Sequence, residues 1–200
     1  MEVLASFDAQ FAALNPFIFY VIVGAIVFVE TGLLFGFFLP GDSVLFSAGL
    51  VAAAMADVNI AILVTIILAA AFFGDQIGFV LGRVVGRPYL DKQTSPRMQR
   101  MIARSERFYE QTGWWAVVAA RFFPWIRTFV PPIAGASKMN YYKFLSANAL
   151  GAILWGGGIT LAGYYAATLP WVKTSSYAIA TFFITASIVS GIVNYSRRPR

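Results

Sequence analysis

The stretch RFFPWIRTFVPPIAG, Arg121 to Gly135, sets two arginines among Phe, Trp, Val and Ile and around Pro124 and Pro131-Pro132. It is too apolar for a surface loop and too charged for an ordinary core. Proline removes a backbone donor and clashes with the preceding turn, so no continuous helix is expected to run through the stretch, which breaks at Pro124 and again at Pro131-Pro132. Broken backbone is tolerated at membrane depth where protein or a polar cavity covers it, and guanidiniums there pair or line a path. The flanks agree with such a place. Arg83, Arg87, Lys92, Arg97, Arg100, Arg104 and Arg107 precede it, and Lys138 and Lys143 follow. Basic residues in short connectors mark the cytoplasmic side, so the stretch is expected to enter and leave there.

Of the 200 residues, 59% are hydrophobic and 12% charged, against about 45–50% and about 25% in soluble domains. Apolar blocks run over Phe17–Leu39, Ser43–Ala56, Ile60–Gly82, Trp114–Val130, Phe144–Thr168 and Tyr177–Tyr195. Several reach the roughly 20 residues a helix needs to cross a bilayer. The expected class is an all-α polytopic membrane protein in a single domain. No Lys or Arg precedes Arg83, so the basic start of a cleaved signal is missing and the N-terminus is expected to be retained. There is no cysteine and no histidine, which removes thiolate metal sites, Ser-His hydrolysis and the imidazole-dependent membrane phosphatases and metalloproteases. Only carboxylate or lysine chemistry would be left to an enzyme, and no enzyme, cofactor or metal site is expected. The net charge of +6 is concentrated in connectors and in Arg197, Arg198 and Arg200. It reads as topology, with a cytoplasmic C-terminus, and not as nucleic-acid binding; attraction to anionic lipid head groups is a further reading.

Along the chain, Leu4, Phe7, Phe11 and Leu14 share one face of a short interfacial helix. Phe17–Leu39 then runs into LPGDS, Leu39 to Ser43, and Ser43–Ala56 offers only 14 residues, about 21 Å of helix against a core of about 30 Å. A hairpin that turns at Pro40-Gly41-Asp42 and leaves by the same face fits, with Gly41 suited to a positive φ in the turn. At 23 residues Phe17–Leu39 is also long enough for a complete span, which would move the N-terminus to the cytoplasm. Ile60–Gly82 crosses inward to a basic loop in which Pro96–Glu106 forms a second interfacial helix, and Phe144–Thr168 crosses outward. Interfacial helix, broken hairpin and span thus occur twice in opposite senses, as repeat one at about 3–86 and repeat two at about 94–168, with an extra span at about 172–196. Inverted repeats of this kind place two opposed re-entrant hairpins at the midplane, beside about three full transmembrane helices.

Glu30 and Asp42 lie in the first broken segment, Arg121 and Arg127 in the second, so the signs are segregated by repeat. If the hairpin tips meet, acids face guanidiniums. Asp42 also suits a helix cap, Glu30 a structural salt bridge, and the arginines a snorkelling position. Desolvation favours a neutral carboxyl and a nearby guanidinium a charged one, so an anion that occupies the arginines would free a carboxylate to take a proton. Asp75, in GDQIGFVLGRVVG from Gly74 to Gly86, divides evenly between structural hydrogen bonding and function. Gly74, Gly78, Gly82 and Gly86 recur every four residues and allow close helix approach. Gly156-Gly157-Gly158 softens its helix.

Glu30 with LPGDS, GDQIGFVLGR after it, RFFPWIR, and AGASKMNYYKFLSANALGAILW from Ala134 to Trp155 together resemble the DedA family of bacterial membrane proteins, which shares the VTT domain with eukaryotic lipid scramblases. The resemblance runs from about Glu30 to Tyr164. It implies opposed re-entrant hairpins, function at Glu30, Asp42, Arg121 and Arg127, and transport of lipid-linked phosphate, notably undecaprenyl phosphate, with dependence on the proton-motive force. Phe79 stands where the family often has Tyr. Members are also tied to phosphatidylethanolamine and to envelope homeostasis.

The expectation is a flippase in the bacterial cell (inner) membrane whose partners are membrane lipids and protons. Arg121 and Arg127, with Asp42 and Ser43, form the substrate site; Glu30, Asp42 and Asp75 couple protons. The rival readings are a proton-coupled transporter of a small soluble ion or osmolyte, and a phospholipid scramblase or non-transporting scaffold whose charges only lock the hairpins.

Overall fold

The computed structural model describes residues 15–32 and 41–169, which form helices joined by short turns, with no strand among them. The elements are α1 (Pro16–Gly32), α2 (Gly41–Ala54), α3 (Ile60–Asp91), α4 (Pro96–Gln111), α5 (Gly113–Ala120), α6 (Pro124–Arg127), α7 (Val130–Ala136) and α8 (Tyr141–Ala166). The expected N-terminal interfacial helix, Leu39-Pro40 of the turn and the C-terminal span lie outside the described residues.

Among the described residues, two helices are long and apolar enough to cross a membrane, α3 with 32 residues and α8 with 26. Each starts on an asparagine cap: Asn59 Oδ1 accepts from Ala61 N and Ile62 N, and Asn140 Oδ1 from Tyr142 N and Lys143 N. They run antiparallel and cross where Gly156 and Gly157 meet Ile67, Leu68 and Val64. Phe73, Ile77, Val80, Val84, Ile153 and Leu154 along them face outward. An apolar exterior of that extent belongs in lipid.

The shorter helices pack on these two in a crossed pattern. α1 lies along the first half of α3 in the same direction, with Tyr20 Oη accepting from Asn59 N at 2.7 Å and Gly32 against Gly74. α5 lies along the first half of α8, with Trp114 Nε1 donating to Ser146 Oγ at 3.0 Å. The second arms exchange partners. α2 packs on the end of α8, where a Cβ on Gly49 would fall on the Thr160 carbonyl and one on Gly163 on the Phe46 carbonyl. α7 packs on the end of α3, where a Cβ on Gly82 would fall on the Pro132 carbonyl and one on Gly135 on the Phe79 carbonyl. Both contacts are backbone against backbone through a reciprocal glycine pair. The four-residue glycine spacing of α3 therefore serves packing: Gly74 meets α1, and Gly78, Gly82 and Gly86 meet α7.

Three expectations about boundaries change. The span beginning at Ile60 does not end at Gly82 but continues as helix to Asp91, carrying Arg83 and Arg87. A π-helical turn over Gly82–Gly86 makes this possible, because Arg87 N bonds back to Gly82 O and shifts the ladder just before Pro88. The helix expected over Pro96–Glu106 extends to Gln111, and Ser105 Oγ lies 2.7 Å from Ser137 Oγ. Pro131-Pro132 does not break a helix. The prolines occupy the first turn of α7, where a missing N–H costs nothing, and the breaks fall just before Pro124 and at Thr128-Phe129.

The glycine contacts can be tested by adding one methyl group. Gly82→Ala should lower thermal stability in detergent by about 1–3 kcal/mol through overpacking. Gly158→Ala, where an added Cβ meets nothing within 4 Å, should be neutral or stabilising by up to about 1 kcal/mol.

Candidate functional site

The breaks in the second half place two guanidiniums inside the protein. Arg127 ends α6, set by Pro124 at its first position, and is 7% exposed; Arg121 follows α5 and is 3% exposed. Both meet acids from the first half. Arg127 Nη2 donates to Glu30 Oε1, and Nη1 donates to Asp42 Oδ1 at 2.7 Å. Arg121 Nη2 donates to Asp75 Oδ2 at 2.5 Å, to Asn148 Oδ1 and to the Ala71 carbonyl. Asn148 Nδ2 donates in turn to the Phe72 carbonyl, which fixes the amide orientation. Partners 97, 85 and 46 residues apart in sequence are thus joined.

The acids differ in access. Glu30 is 1% exposed and Asp75 is buried, whereas the Asp42 carboxylate retains 44% of its exposure. Asp42 sits in the first turn of α2, and its Oδ1 also accepts from Trp155 Nε1 at 2.7 Å. The Trp155 ring underlies both cations, 4.6 Å from Arg127 Cζ and 5.8 Å from Arg121 Cζ. Ser43 is half-buried in the same turn of α2. Three carboxylates therefore face two guanidiniums around one indole.

The expected residues divide into two linked clusters. Glu30, Asp42 and Arg127 come together, and Asp75 joins Arg121. Sequence reasoning had left the pairing open and missed Asn148 and Trp155. An amide within an apolar helix was the available signal for Asn148; for Trp155 it was an indole just before Gly156-Gly157-Gly158, where the helix takes a π turn over Ile153–Gly157. No described glycine has a positive φ, so Gly41 answers a different need. A Cβ there would fall on the Glu30 carboxylate. Phe79 is buried and stacks on Phe144 with ring centroids 4.3 Å apart, so a hydroxyl is not needed to hold it.

A family model described as the VTT domain matches residues 39–165. The chain is 37% identical over 183 residues to Protein DedA of Escherichia coli, covering 90% of this chain and 84% of that one. It is 41% identical over 170 residues to an uncharacterized membrane protein of Mycobacterium leprae, covering 84% and 75%. A similar protein of Mycobacterium tuberculosis is 39% identical over 174 residues, covering 86% and 76%. No solved structure matches.

Substitutions at two positions test the geometry of the clusters. Gly41→Ala should damage folding about as much as Gly41→Val, because the first added carbon already displaces Glu30; a positive-φ turn would instead tolerate Ala better. Arg121→Ala should cost about 3–5 kcal/mol in thermal unfolding, since it leaves Asp75 buried and unpaired.

Proposed function

The chain belongs to the DedA family of VTT-domain membrane proteins, and from that premise we propose that it moves the phosphate head group of an anionic lipid, undecaprenyl phosphate before others, between leaflets of the bacterial inner membrane, coupled to protons. The observation that carries this reading is the division of labour around Arg127. Its two donor edges are held by different acids, one sealed in the protein and one half exposed. An arriving phosphate exchanges for Asp42, takes a charge-assisted bond from the guanidinium and leaves Glu30 to hold the cation in place. The N-terminus of α2, with Ser43 in its first turn, adds a favourable field for the anion. No bond in the lipid is broken, so the activity is transport and not catalysis.

With three carboxylates against two guanidiniums, one proton balances the set. A phosphate brings further negative charge, and proton uptake at Glu30, Asp42 or Asp75 accompanies its arrival. Arg121, tied to Asp75 and sharing Trp155 with Arg127, forms the second anion position. On this reading α1–α2 and α5–α7 are opposed re-entrant hairpins of two inverted repeats, about 3–86 and 94–168. α3, α8 and a span at about 172–196 cross the bilayer, and the C-terminus is cytoplasmic. The crossed packing of second arms on α8 and α3 supports that arrangement.

Reconstitution into liposomes with labelled undecaprenyl phosphate in one leaflet tests the reading. Arg127→Lys keeps the charge and loses the planar fork, so transport should fall about tenfold for a lost charge-assisted bond; Arg127→Ala should abolish it. Glu30→Gln should bind the lipid and lose the response to a pH gradient. Folded variants that all move the lipid at wild-type rates, with an unchanged pH response, would assign these residues to structure alone.

A further inference from the structure

Asp42 Oδ1 occupies a point on which two donors converge: Arg127 Nη1 at 2.7 Å and Trp155 Nε1 at 2.7 Å. The acceptor at that point is the half-exposed member of the arrangement, while the donors are fixed. Arg127 is 7% exposed and held from its other edge by Glu30; Trp155 is 1% exposed and packed in the core with Val27, Leu45 and Ala152. If the carboxylate leaves, the donors stay, and what remains is a position for one anionic oxygen. The geometry points to Trp155 as a substrate-binding residue: its indole N–H donates to a phosphate oxygen that replaces Asp42 Oδ1, beside Arg127. Asp42 is then an internal ligand that keeps the position filled until a phosphate takes it.

An indole is suited to that task. It donates and cannot accept, so it recognises an unprotonated phosphate oxygen. It is uncharged, so it adds specificity without tightening the grip that a third cation would exert on a head group that has to be released. Its π face also attracts the Arg127 guanidinium, whose Cζ lies 4.6 Å from the ring centroid. The π turn over Ile153–Gly157 sets Trp155 facing both arginines, a placement often found where helices serve a site. This inference rests on the phosphate reading above and adds a residue to it.

A binding cycle separates a contact to phosphate from a contact to Asp42. Farnesyl phosphate and inorganic phosphate are titrated against detergent-solubilised wild type, Trp155→Phe, Asp42→Ala, the double variant and Arg127→Lys. If Trp155 serves phosphate, Trp155→Phe should weaken binding about tenfold or more in the Asp42→Ala background, and by less in the wild-type background, where losing the indole bond to Asp42 in the free protein offsets part of the loss. If it only holds Asp42, the effect should vanish once Asp42 is gone, and the inference is overturned. Arg127→Lys distinguishes the two levels: weakened binding there with an indifferent Trp155 overturns the indole contact alone, and wild-type binding there overturns the phosphate site itself. Equal effects with both probes define a phosphate site, and an effect confined to farnesyl phosphate defines a lipid-phosphate site. Should Trp155→Phe not fold, the indole N–H resonances of 15N-tryptophan-labelled protein give the same answer. The signal that moves on Asp42→Ala belongs to Trp155, and farnesyl phosphate should shift it again in that variant; no shift overturns the inference.

Discussion

A guanidinium in hydrocarbon has to be paired, and much of the described structure follows from pairing two of them. Neither Arg121 nor Arg127 finds an acid in its own half. Asp75, Glu30 and Asp42 come from the first half, so the ion pairs close only when the two halves have docked. Removing one partner leaves an uncompensated charge in low dielectric, at about 3–5 kcal/mol, whereas the complete pair contributes far less net stability. The pairs therefore specify which halves meet, and where, more than they hold them together.

Close backbone approach supplies the cohesion. Lipid offers apolar side chains no hydrophobic gain on association, so helices in it adhere by fit. The reciprocal contacts Gly49–Gly163 and Gly82–Gly135 bring each second arm onto the long helix of the opposite half. That exchange brings Asp42 and Arg127 together beside the long helices α3 and α8. Trp155 fills the space left there and touches both cations.

The charged residues were legible because each interrupts an apolar run, and the energetic cost of that interruption is a reason to look there. The long helices were legible by length. Which acid meets which arginine was not, since pairs up to 97 residues apart depend on the crossed docking that sequence periodicity does not encode. Asn148 and Trp155 escaped notice because an amide and an indole in an apolar helix read as packing or interface until their partners are known. Prolines misled at Pro131-Pro132, where they start α7, and Arg83 misled as a boundary because α3 carries it on through a π turn. Gly41 was singled out for a turn conformation, and its need is the Glu30 carboxylate that occupies the place of a side chain.

What distinguishes a working site from a lock is whether Asp42 leaves Arg127 when an anion arrives. Infrared difference spectroscopy on reconstituted protein, recorded with and without farnesyl phosphate, reads this directly in the carboxylate stretching region. A band pair that appears with the phosphate and is missing from Asp42→Asn protein is the predicted result, marking a carboxylate that changes its hydrogen bonding as the lipid head group takes its place. Saturating binding with no change in the Asp42 band would contradict displacement and leave the Asp42–Arg127 contact a structural bridge.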